Sequence, residues 1–73
     1  MDRGGESVAQ DSEGNVYIVS GQIYAYNPSG KFIDTIYVPE RPSQILFGGP
    51  DRKTLFIGAR SSLYAVQMRN SGR

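Results

Sequence analysis

The sequence predicts an all-β fold built from antiparallel four-stranded meanders, about two blades of a β-propeller whose ring is incomplete. Three observations carry that prediction. Short runs rich in β-branched and aromatic residues recur along the chain. Turn chemistry separates them, and a two-strand phrase over residues 14–32 returns over residues 53–66. Helical signals are nearly absent, because no window keeps an apolar stripe at i, i+3, i+4, i+7 for three turns. Nine glycines and four prolines interrupt every candidate helix.

The strands follow in order. "SVAQ" (7–10) is weak, whereas "NVYIVS" (15–20) and "QIYAYN" (22–27) are strong. "FIDTIYV" (32–38), "QILF" (44–47), "TLFIGA" (54–59) and "LYAVQM" (63–68) complete the set. Between them, "DSEG" (11–14) is a turn in which Asp11 bonds its own backbone and Gly14 takes positive φ. "NPSG" (27–30) sets Pro28 at the second turn position, and "GGPDRK" (48–53) is a longer turn of the same kind. Val16 and Ile18 alternate with Tyr17 and Val19, and Leu55 and Ile57 with Phe56, so these strands are apolar on both faces. Such strands lie between two layers. Asp34 and Thr35 fall on opposite faces of their strand, which places it at an edge or near solvent.

The repeat has a measurable period. Val16-Tyr17-Ile18 falls on Leu55-Phe56-Ile57 at a spacing of 39, and Ile23-Tyr24-Ala25-Tyr26 falls on Leu63-Tyr64-Ala65-Val66 at 40. "SVAQ" falls on "QILF" at 37, the longer "GGPDRK" turn absorbing the difference. A period near 40 with four strands per unit marks a propeller blade. The units read as an N-terminal segment (1–6), a first blade (7–38), a second blade lacking its fourth strand (43–68) and a disordered tail (69–73). The competing reading is an independent β-sandwich with a coincidental repeat.

Composition limits the chemistry. There are no cysteines and no histidines, so disulfides, thiolate sites, imidazole ligands and imidazole bases are excluded together. Carboxylates, amides, hydroxyls, Lys, Arg and Tyr remain. A formal net charge of +1 points neither to nucleic acid nor to a membrane surface. No stretch reaches the roughly 18–20 apolar residues that span a bilayer, and the start reads as no signal peptide. The expectation is a soluble chain, cytoplasmic if Met1 is the natural start.

Several motifs are specific enough to carry a resemblance. "DSEGNVY" (11–17), "YNPSGK" (26–31) and above all "VPERP" (38–42) followed by "FGGPDRKTLFIGARSSLYAV" (47–66) resemble the C-terminal region of the senescence-marker, gluconolactonase and luciferin-regenerating family. The resemblance implies a six-bladed propeller that hydrolyses lactones or related esters. It also implies a divalent cation, calcium or zinc, held at the channel mouth by carboxylate and amide oxygens from several blades, with an Asp that also serves as acid/base. Counting back from Gly14, the position of that Asp holds Glu6, one methylene longer, which makes Glu6 the candidate catalytic residue and metal ligand. Ser43 and Gln44, opening the second inner strand, are channel-lining candidates, although starting a strand explains them as well. Asp11 and Asp51 read as turn-capping residues, and the five tyrosines as packing between blades.

Three functions follow from these readings. The first is part of a gluconolactonase-like, metal-dependent lactone or ester hydrolase, inactive as an isolated monomer and completed by further blades. The second is a self-assembling homo-oligomer that closes its own ring and takes a small lactone. The third is a non-catalytic module that binds a partner through its sheet edge.

Overall fold

The computed structural model describes residues 7–72. Seven strands form: β1 (Val8–Gln10), β2 (Val16–Ser20), β3 (Gln22–Tyr26), β4 (Phe32–Ile36), β5 (Pro42–Gly48), β6 (Thr54–Ala59) and β7 (Leu63–Gln67). They make two antiparallel meanders, β1-β2-β3-β4 and β5-β6-β7. The expected all-β architecture of one four-stranded blade and one three-stranded blade is therefore present, and β4, with its split polar pair Asp34 and Thr35, is an edge strand.

Local chemistry places the turns. Gly21 alone links β2 to β3 at φ 78°, a conformation that a side chain would strain. In "NPSG" the Asn27 Oδ1 accepts the N–H groups of Ser29 (3.0 Å) and Lys31 (2.9 Å), and the Gly30 N–H closes the turn on the Asn27 carbonyl at 2.8 Å. In the longer turn Asp51 Oδ1 accepts the Lys53 N–H at 3.1 Å. Asp51 thus caps a turn, in the manner expected of it.

Registers assign the faces. Tyr17 pairs with Ala25, and Val19 with Ile23, so all four point to one side of the first sheet. In the second sheet Ile45 pairs with Ile57 and Phe47 with Leu55, while Ile57 and Leu55 pair in turn with Tyr64 and Val66. These two sets meet. Tyr17, Ile23, Ala25, Ile45, Phe47, Leu55 and Ile57 form one buried cluster with Val38 from the connection between the sheets. The Tyr17 and Phe47 rings meet edge to face at 5.8 Å. Each fully buried aliphatic side chain, such as Ile23 or Leu55, contributes about 1.5–3 kcal/mol.

Two connections hold the sheets in place. Between β4 and β5, Gln22 brackets Val38, its Oε1 accepting the Val38 N–H at 3.1 Å and its Nε2 donating to the Val38 carbonyl at 3.5 Å. The second is the C-terminal segment, where the expectation of a disordered tail over 69–73 meets a different arrangement in the described residues. Ser12 N–H donates to the Ser71 carbonyl (2.7 Å), Gly72 N–H donates to the Arg52 carbonyl (2.7 Å), and Gly72 forms a bridge with Asp11. The polar composition suggested disorder, but backbone groups and one small residue do the docking. Gly72 lies against Phe47 so closely that a Cβ there overlaps the Phe47 side chain.

Gly72→Ala is expected to lower stability by about 1–3 kcal/mol through overpacking against Phe47. Urea unfolding measures it, and a wild-type midpoint would show that this segment is not docked in solution.

Candidate functional site

The two innermost strands define the place where a propeller keeps its channel. Val8, Ala9 and Gln10 of β1 and Ile45, Leu46 and Phe47 of β5 line one groove of about 320 Å³, with Arg52 at its side. These two triplets are each other's equivalents in the repeat, at the spacing of 37. The groove is a seam between successive inner strands and carries no pair of carboxylates.

Ser43 and Gln44 stand at the exposed start of β5. The Ser43 hydroxyl donates to the Gly58 carbonyl at 3.1 Å. Gln44 lies over Gly58, its Cγ 2.9 Å from where a Cβ would stand. The Ser43 bond ties β5 to β6, and Gln44 packs over Gly58 of β6. Glu6 lies outside the described residues. Among the described residues, no group of three or more Asp, Glu, His or Cys could hold a metal ion.

The most elaborate polar centre is Asp11, at 0% exposure. A buried carboxylate is costly unless its oxygens are satisfied, and here both are. Oδ1 accepts the N–H groups of Glu13 (2.9 Å) and Asn15 (3.0 Å). Oδ2 accepts from Asn15 Nδ2 (2.9 Å), the Tyr17 hydroxyl (2.9 Å) and Asn70 Nδ2 (3.3 Å). Desolvation pushes the carboxyl up, but the hydrogen bonds from Asn15, Tyr17 and Asn70 outweigh it and hold Asp11 below its ordinary range. The Tyr17 phenol is pushed far up, first by burial and then by its bond to Asp11 and that residue's charge. With five donors in place, Asp11 is a structural anchor that has no lone pair to offer a cation. Turn capping was legible in "DSEG"; the reach to Asn70, 59 residues away, was not.

Sequence reasoning assigned no role to Glu40, in "VPERP". One oxygen accepts the Ser61 N–H and hydroxyl, both at 3.1 Å. The other accepts the Ser62 hydroxyl (2.7 Å) and the Tyr64 hydroxyl (3.2 Å). These bonds, the Ser62 hydroxyl foremost, hold the carboxyl below its ordinary range. Glu40 pins the connection between the sheets to the β6–β7 turn. Prolines on either side, Pro39 and Pro42, and the facing serine pair are the signal that could have revealed it.

Fold and site together define a pair of adjacent propeller blades. Comparison with known families agrees: the family model described as the SMP-30/Gluconolactonase/LRE-like region matches residues 4–61, well over half of the chain, and the chain belongs to that family. No curated protein matches the chain.

Asp11→Asn turns one acceptor into a donor facing donors, and is expected to cost about 2–3 kcal/mol of stability. Tyr17→Phe is expected to cost about 1 kcal/mol, and the pair to be non-additive in a double-mutant cycle. The pH dependence has a sign. Because the folded Asp11 pKa is depressed, its stabilisation is present above the unfolded value of about 3.9 and is lost as pH falls below that. Because the Tyr17 pKa is raised, its contribution is lost as pH rises above about 10. Unfolding midpoints across pH, wild type against the two variants, measure both.

Proposed function

We propose that this chain supplies two adjacent blades to a gluconolactonase-like propeller that hydrolyses lactones or related esters with a divalent cation, calcium or zinc, and that the chain is inactive as an isolated monomer. The family match over residues 4–61 carries this reading. The chain's own contribution to the chemistry is Glu6, on the segment entering the first inner strand, as metal ligand and proton relay. The described residues alone do not fit a cation: they hold no ligand group of three, and the oxygens of Asp11 and Glu40 are engaged elsewhere. The cation would be held by residues of several blades, Glu6 among them, and would polarise the lactone carbonyl when bound. Ser43 and Gln44, exposed at the start of β5, would line the channel beside it.

The test places the full chain in the matching position of an active six-bladed lactonase of the family. Lactone opening with calcium or zinc is expected, falling about 10²–10⁴-fold in Glu6→Gln. A folded chimera without activity would sink the reading, and an active chimera indifferent to Glu6→Gln would remove Glu6 from it. The isolated chain with either metal is expected to show no turnover.

A further inference from the structure

The repeat and the packing, read together, assign an occupant to the two outer faces. The residues that β1, β2 and β3 turn toward the second sheet have their repeat equivalents on the outer face of the second sheet, which has no counterpart of β4. Tyr17 and Ala25 point inward; their equivalents Phe56 and Ala65 pair with each other on the outer face of the second sheet. The converse also holds. Leu55, Ile57, Tyr64 and Val66 face the first sheet, and their equivalents Val16, Ile18, Tyr24 and Tyr26 face away from the second. Ala9 and Leu46, equivalents in the inner strands, obey the same inversion.

Exposure shows what the inversion leaves undone. Ile23 is 0% exposed, whereas Leu63, at the same repeat position, is 71% exposed. Leu55 and Ile57 are fully buried, whereas Val16 and Ile18 are only partly so. On the first sheet Phe32, 52% exposed, packs on Tyr24 and Tyr26 and widens the same apolar face. On the second, Leu46 is 49% exposed beside Phe56. The contact inside the chain is thus heterologous, face against a different face, and both of its unused halves lie on the surface.

We propose that a second copy of this chain docks head to tail, its second sheet's outer face on the first sheet's outer face, continuing the interface already present between the two sheets. A heterologous contact propagates until rotation closes it. With two blades per copy, the roughly four to eight blades of a closed propeller correspond to roughly two to four copies. The proposal rests on packing alone and is independent of the chemistry proposed for Glu6.

The experiment is sedimentation velocity across a concentration series on the full chain, on Phe32→Asp and Leu63→Asp separately, and on their mixture. Both positions are exposed, so strand content by circular dichroism should be retained. Should either variant unfold, Val8→Lys and Leu46→Lys replace the pair on the same two faces. Wild type is expected to form discrete oligomers, and each variant alone to weaken association by about tenfold or more. Mixed, the two variants are expected to form a one-to-one dimer, because each retains the face the other has lost. A monomeric wild type at every concentration overturns the proposal. So does a mixture that fails to pair, which indicates a face-to-same-face contact, and so does polydisperse aggregation unchanged by either variant.

Discussion

The carboxylate of Asp11 is the constraint on which the arrangement of this molecule depends. It sits with no exposure at the mouth of the β1–β2 turn, and it is tolerable there only because five donors converge on it. Those donors come from three places. Glu13 and Asn15 shape the turn itself, Tyr17 ties the anion to the face that packs on Phe47, and Asn70 draws in the C-terminal segment. A single charge thereby couples a local turn to the packing between sheets and to a residue near the opposite end of the chain. The buried Tyr17 hydroxyl, which would otherwise need a partner, finds it in the same group.

Glu40 has the complementary position. Where Asp11 is enclosed, Glu40 is partly exposed, and its four bonds fasten the connection between sheets to the β6–β7 turn. Exposed carboxylates of this kind contribute little free energy because water competes for them. Their value lies in geometry: the connection between the blades is directed, so the apolar faces meet in one register. Together the two acids tie the β1–β2 turn to the C-terminal segment and the inter-sheet connection to the β6–β7 turn.

Much of this was legible in the residues. Val16-Tyr17-Ile18 and Leu55-Phe56-Ile57, apolar on both faces, announced strands held between layers, and glycines and Asx turns marked the β1–β2, β3–β4 and β5–β6 connections. Local chemistry is written locally, so Asp11 and Asp51 were readable as turn caps. Distant pairing is not. The Asn70–Asp11 bond spans 59 residues and the Glu40–Ser61 bond 21, and nothing in the polar "RNSG" stretch separates a docked segment from a loose end. Glu6 is the reverse case, read from a resemblance and lying outside the described residues, so its role belongs to the proposal.

The bridge between Asp11 and Gly72 has one more implication, for cooperativity. In repeat architectures each unit touches only its neighbours, and units can melt one after another. Here Gly72, in the segment after the second blade, returns to the first turn of the first, closing a loop around nearly all of the described chain. Such a contact is the most expensive in chain entropy and forms only when both sheets already stand in place. It ties together two units that could otherwise fray independently, so the pair of blades, rather than either blade, is the unit expected to unfold cooperatively.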